Sequence, residues 1–88
     1  MTFSVIYTAR ARRDLKNLPQ DIAQACIRAI SSIKDDPYSF VKKLKVSKKS
    51  PLSSLRIGEY RAIMSLEDDR FVIFVLEIGH RSNIYRKY

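Results

Sequence analysis

The residues of this chain best suited to chemistry are cationic or proton-moving, and they cluster. Arg56 and Arg61 flank an Ile-Gly-Glu-Tyr segment; His80, Arg81 and Tyr85 lie near the C-terminal end; Lys42, Lys43, Lys45, Lys48 and Lys49 fall within eight residues. Arginine grips a phosphate bidentately, and Arg61 with Arg81 can clamp one. Such cations stabilise the more negative pentacovalent phosphorus of a transition state, while histidine, lysine and tyrosine move protons. Tyr85 can also stack on a base. RNA supplies its own nucleophile, the 2′-OH, so this set needs neither a metal nor a protein nucleophile to cut it. Other chemistries find less support. One histidine and scattered acids match no metal-ligand spacing. Two glycines cannot build a glycine-rich phosphate loop, and no serine sits in an elbow motif. No metal and no cofactor are expected. Plainer roles are open to the same residues: Glu59, Glu67 and Glu77 can pair with the arginines, His80 can serve as a hydrogen-bonded turn residue, and Tyr85 and Tyr88 can seal the edge of a core.

The element that must position this set is the hairpin over Leu55 to Arg61. Gly58 suits the first central position of a two-residue turn, where φ is positive. With Gly58 and Glu59 as the turn, Ile57 lies opposite Tyr60, Arg56 opposite Arg61 and Leu55 opposite Ala62. Cross-strand partners share a face. Leu55, Ile57, Tyr60 and Ala62 then line a core face, and the two arginines lie side by side on the other. Like charges directly opposite each other are destabilising, so the pair suggests an anion held between them.

The rest of the chain supplies the support. A strand is expected over Phe3 to Tyr7. Thr8 is placed to cap a first helix over Ala9 to Asn17, with Arg10, Arg12, Arg13 and Lys16 mostly outside. Pro19 breaks that helix and starts a second over Gln20 to Lys34, where Ile22, Cys26, Ala29, Ile30 and Ile33 form one buried stripe. Cys26 reads as a small core hydrophobe. The short Leu18-Pro19 joint implies an antiparallel helical hairpin. After Asp35-Asp36-Pro37 comes an irregular basic stretch with a short strand around Leu44 and Val46. Strands follow over Leu52 to Ile57 and Tyr60 to Glu67, then a tight turn at Asp68-Asp69. The apolar run from Arg70 to Ile78 reads as a central strand covered on both faces, and a basic tail with two tyrosines ends the chain. The class is α+β: an N-terminal strand, an antiparallel helical hairpin, then a three- to four-stranded antiparallel meander, with the helices on one face and the arginines on the other.

Eighty-eight residues make a single domain over 1–88 with one modest core. No apolar run reaches the ~18 residues of a membrane span, the N-terminus has no basic leader pattern, and one cysteine allows no internal disulfide. A cytoplasmic location with no membrane partner is the expectation. Lysine plus arginine number 17 against 9 acidic residues, a net charge of +8, which points to nucleic acid or an acidic partner. The five closely spaced lysines repel each other unless something anionic is near.

The chain resembles the toxins of the RelE/ParE superfamily, from type II toxin–antitoxin pairs. The resemblance is carried by Ala11-Arg-Arg-Asp-Leu-Lys-Asn-Leu-Pro19, Leu44-Lys45, Leu55-Arg-Ile-Gly-Glu-Tyr-Arg61, the apolar strand, and His80-Arg-Ser-Asn-Ile-Tyr-Arg86. It spans almost the whole chain. It implies a RelE-like fold and ribosome-dependent cleavage of mRNA in the A site, by 2′-OH attack with a 2′,3′-cyclic phosphate product. Carried over by position, Arg61 and Arg81 match phosphate-stabilising arginines and Tyr85 the C-terminal tyrosine of the cut site. Arg56 matches a basic residue that some members have as lysine, and His80 lies where some relatives place a catalytic histidine. Val46 stands where the family often has glycine and Ser54 where it often has a basic residue. With Ser54 there, and with arginine too weak an acid to act as a base, Lys45, a neighbouring lysine or His80 must take the proton. A RelB-like antitoxin, acidic or with an amphipathic helix, is the implied partner, beside mRNA and the ribosome. Two other readings stay open: a ParE-like toxin directed at DNA gyrase, and a non-catalytic basic nucleic-acid-binding domain.

Overall fold

A computed structural model describes residues 2–44 and 52–87, the last three of these by their backbone alone. The elements run β1 (Ser4–Tyr7), α1 (Ala9–Asn17), α2 (Gln20–Ser32), a 3₁₀ turn (Pro37–Ser39), β2 (Lys42–Leu44), β3 (Leu52–Ile57), β4 (Tyr60–Glu67), β5 (Val72–His80) and α3 (Arg81–Lys87). The five strands form one sheet in the order β1-β5-β4-β3-β2. The meander is antiparallel as expected, but β1 joins it parallel to β5, so the sheet is mixed. The helical hairpin carries the chain across the sheet face before the meander begins, and β1 is left to close the far edge beside the last strand.

Local chemistry sets the helix ends. The Thr8 hydroxyl accepts the Ala11 N–H at 3.1 Å, capping α1. Pro19, with no N–H to offer, opens α2. The second helix stops at Ser32, two residues short of the expected end, because Ile33 and Lys34 donate to Ile30 and Ser31 in a tightened last turn. Both helices pack on one face of the sheet. Cys26, Ile30 and Ile33 meet Leu55, Ala62, Met64, Ile73, Val75 and Ile78 there in the main core. Cys26 is fully buried, and burial pushes its thiol above the ordinary range, as suits an inert core residue.

The long apolar run is less uniform than a strand covered on both faces. Phe71 stands before β5 with φ 52°, in a turn where its N–H donates to the Asp68 carbonyl at 3.3 Å. Its ring meets Phe3 edge-on at 5.3 Å. Within β5, Ile73, Val75 and Ile78 face the main core, whereas Phe74 and Leu76 are half-buried. Pairing changes register between Ile63 and Met64, leaving Leu76 as an extra residue in β5. Strict alternation from Val75 would send Glu77 into the core; the bulge sends Ile78 instead. On the second face Ile63 and Ile84 are buried but lie apart from the main core cluster. There α3 rests on β4 and β5, with Ile84 3.4 Å from where a Cβ on Gly79 would stand. Among the described residues that face carries no full helical layer, and they cover β5 there only in part.

Tyr38, beside the 3₁₀ turn, donates its hydroxyl proton to Asp68. That bond, then burial and the negative charge of Asp68 and Glu67, pushes the phenol up to about 12. The fold thus favours the protonated ring. Its contribution is complete below the ordinary tyrosine range and is lost as pH climbs through the raised value. Phenolate absorbance, taken as wild type minus Tyr38→Phe, should show a midpoint near 12. In Asp68→Asn it should fall back toward ~10.

Candidate functional site

The β3–β4 turn is the centre of the site. Gly58 has φ +59° and Glu59 is not in the positive region, the pattern of a type II′ turn. Ile57 pairs with Tyr60, Arg56 with Arg61 and Leu55 with Ala62, so the two arginines lie opposite each other on the face away from the helical hairpin. Their environments differ. Arg61 is buried in the sheet, and its Nη1 donates to Ser54 Oγ at 3.3 Å. Arg56 is exposed, and its Nε donates to the Gly58 carbonyl at 3.2 Å. Ser54 is thus one anchor for Arg61.

The third arginine arrives from the C-terminal end. Gly79 pairs with Arg61 and His80 with Tyr60, which brings the start of α3 beside the turn. The Arg81 N–H donates to the Glu59 carbonyl at 2.8 Å, and Arg81 Nε forms an ion pair with Glu59 Oε2 at 3.1 Å. Among the acids open to pairing, Glu59 therefore takes Arg81, Glu77 takes Arg10 and Glu67 takes Arg70. His80 stands at the head of α3. Its Nδ1 accepts the Ser82 N–H at 3.3 Å and lies 2.9 Å from Ser82 Oγ. A backbone N–H only donates, so a neutral His80 carries its proton on Nε2 and presents a donor there. Its ring also meets Tyr60 edge-on at 5.6 Å.

The second half of β5, which delivers these residues, extends past β1. Pairing with β1 covers only Val72 to Val75. Beyond it the start of α1 takes over. The Thr8 N–H donates to the Val75 carbonyl at 3.0 Å and its hydroxyl to the Leu76 carbonyl at 3.1 Å. Arg10 reaches Glu77 at 3.0 Å, and Asp14 Oδ2 accepts the Ile78 N–H at 3.0 Å. Asp14→Ala removes the acceptor of a half-buried backbone N–H and should cost about 1–3 kcal/mol in urea unfolding. Asp14→Asn, which keeps an acceptor oxygen, should cost less than half as much.

The lysines divide. Lys42 lies opposite Ser54, on the face of Arg61, whereas Lys43 lies opposite Ser53 and lines a hollow with Tyr38, Leu66 and Asp68 on the other side. Lys45, Val46, Lys48 and Lys49 lie outside the described residues. Tyr85 falls one turn along α3 from Arg81, and its side chain is likewise outside the described set. Among the described residues no group of three or more His, Cys, Asp or Glu could hold a metal ion, and no helix is long and apolar enough to cross a membrane. Reading the sequence by residue type gave neither Ser54 nor Asp14 an anchoring role. The only signal for them is geometric: Ser54 lies diagonally from Arg61 across the hairpin, and Asp14 one helical turn from Arg10.

A family model described as the ParE toxin of type II toxin–antitoxin systems (parDE) matches residues 5–85. The chain belongs to this toxin family. Among relatives of the toxin, the RelG toxin of Mycobacterium tuberculosis is 32% identical over 88 residues, covering 99% of this chain and all of RelG. The RelE toxin of the same organism is 33% identical over 85 residues, covering 96% and 87% of the two chains. The toxin superposes on a chain of the RelBE2 toxin–antitoxin complex of M. tuberculosis with a TM-score of 0.82, at 29% identity over 92% of its length and 100% of that chain. A chain of the archaeal RelE–RelB complex of Pyrococcus horikoshii gives 0.76 at 26% identity, with 92% and 97% covered. The RelE-like fold is thereby established for this toxin, with its arginines on the sheet face that the helical hairpin leaves uncovered.

Proposed function

We propose that this toxin is an endoribonuclease that cuts mRNA in the ribosomal A site and so stops translation. The observation that carries the reading is the convergence of Arg56, Arg61 and Arg81 at one turn, each anchored by a different neighbour. Three cations brought to one turn suit a phosphodiester that gains negative charge as it reacts. The mechanism follows from the residue types. The substrate's 2′-oxygen attacks phosphorus while its proton passes to a base. The 5′-oxygen leaves with a proton from an acid, giving a 2′,3′-cyclic phosphate and a 5′-hydroxyl. Arg61 and Arg81 hold the phosphoryl oxygens, and Arg56, Lys42, Lys48 and Lys49 the flanking backbone. His80, with Nδ1 engaged, offers its Nε2–H as a hydrogen bond to the leaving oxygen, to which Tyr85 transfers the proton. The accepting role then passes to Lys45.

The RelG and RelE relatives and the charge of +8 support this reading. The partner is a RelB-like antitoxin, acidic or with an amphipathic helix, by analogy with the toxins solved in complex with antitoxins. Such a helix can disarm the site by displacing α3, which carries Arg81 and Tyr85. A second reading, a gyrase-directed toxin, is favoured by the name of the matching family model. Purified toxin added to programmed ribosomes, followed by primer extension, separates the two. Cuts within the A-site codon establish the nuclease. Intact mRNA, with inhibited supercoiling in a gyrase assay, establishes the alternative.

A further inference from the structure

We propose that Glu59 is a positioning residue for Arg81, and that the Gly58–Glu59 turn orients two arginines of the site onto one anion. The inference rests on the phosphodiester reading above. Each residue of the turn holds one arginine by the same atom: the Gly58 carbonyl accepts Arg56 Nε at 3.2 Å, and Glu59 Oε2 accepts Arg81 Nε at 3.1 Å. The Glu59 carbonyl also accepts the Arg81 N–H at 2.8 Å, so backbone and side chain of one residue fix backbone and side chain of the other. A guanidinium tied through Nε keeps the edge made by its two terminal nitrogens for a bidentate oxyanion.

Stability does not explain the pair. Both side chains are substantially exposed, at 43% for Arg81 and 62% for Glu59, and exposed ion pairs contribute little to folding. A negative charge beside an anion site also opposes anion binding. What the carboxylate supplies is a fixed orientation for Arg81, across the 21 residues that lie between positions 59 and 81 in the chain.

Charge and anchoring are separable by substitution. Glu59→Ala removes both. The kcat for mRNA cleavage on programmed ribosomes should fall about tenfold to a hundredfold, as for a displaced catalytic group, while KM stays level or drops because a repelling charge is gone. Glu59→Gln keeps an acceptor oxygen without the charge. Its kcat should stay within about twofold of wild type, with a lower KM. Thermal unfolding should be nearly the same for all three proteins. A second readout needs no cleavage: the Arg81 Nε–H, followed by ¹⁵N NMR, should exchange slowly with water in wild type and Glu59→Gln and rapidly in Glu59→Ala. Unchanged kcat in Glu59→Ala would overturn the proposal. So would equal losses in both variants, or an Arg81 Nε–H that already exchanges rapidly in wild type. If the wild-type protein cuts no RNA, the nuclease reading falls alone, and the exchange readout decides the positioning role.

Discussion

Replacing Arg81 by alanine should lower mRNA cleavage on programmed ribosomes by about 10²–10³-fold, the loss typical of removing one preorganised donor to a developing negative charge. The protein should remain folded. Arg81 is only partly buried, at the first residue of α3, and its ion pair with Glu59 is solvent-exposed. Its backbone bond to the Glu59 carbonyl persists in any variant. Arg81→Lys should recover part of the rate, because lysine restores the charge but not the planar two-nitrogen edge. Primer extension at matched ribosome concentration measures the loss, and circular dichroism verifies the fold. Wild-type cutting by Arg81→Ala would remove Arg81 from the catalytic set while leaving the nuclease activity itself in place. Arg61 is a poorer probe. It is buried and bonded to Ser54, so its removal mixes lost charge with a cavity in the sheet.

Ile73→Ala should give the largest loss of stability, about 2–5 kcal/mol for a fully buried β-branched side chain cut to a methyl. Ile73 is fully buried on β5, an interior strand of the sheet, between Val5 of β1 and Leu66 of β4. A gap there touches both neighbouring strands and the helical layer. Domains of this size have a total stability of about 5–15 kcal/mol, and each kcal/mol lowers Tm by about 4–8 °C. Ile73→Ala should therefore melt many degrees below wild type in calorimetry. Ile6→Ala is the control on the adjoining edge strand. Ile6 is 45% exposed, so its loss should cost well under half as much. Equal losses at the two positions would mean that β5 carries no more of the core than the edge strand beside it.

The sequence alone determined whatever depends on local chemistry. Thr8 and Pro19 marked helix starts, since a hydroxyl that accepts N–H groups and a residue without an N–H have few other uses there. Gly58 marked a turn through its positive φ, and the two-residue loop then fixed the Arg56–Arg61 pairing with no further choice. Tertiary structure decided what depends on residues far apart in the chain. The parallel seat of β1 beside β5 and the bulge at Leu76 depend on how the helical hairpin and α1 meet the sheet. An unbroken apolar run carries no mark of where its alternation slips. The tail could not be read as a helix that sets Arg81 against Glu59, because the seven residues from Arg81 to Lys87 hold no stable helix until they dock on β4 and β5. The anchors of the arginines were hidden for the same reason: residue types name the cations, and only the folded register names what holds each one.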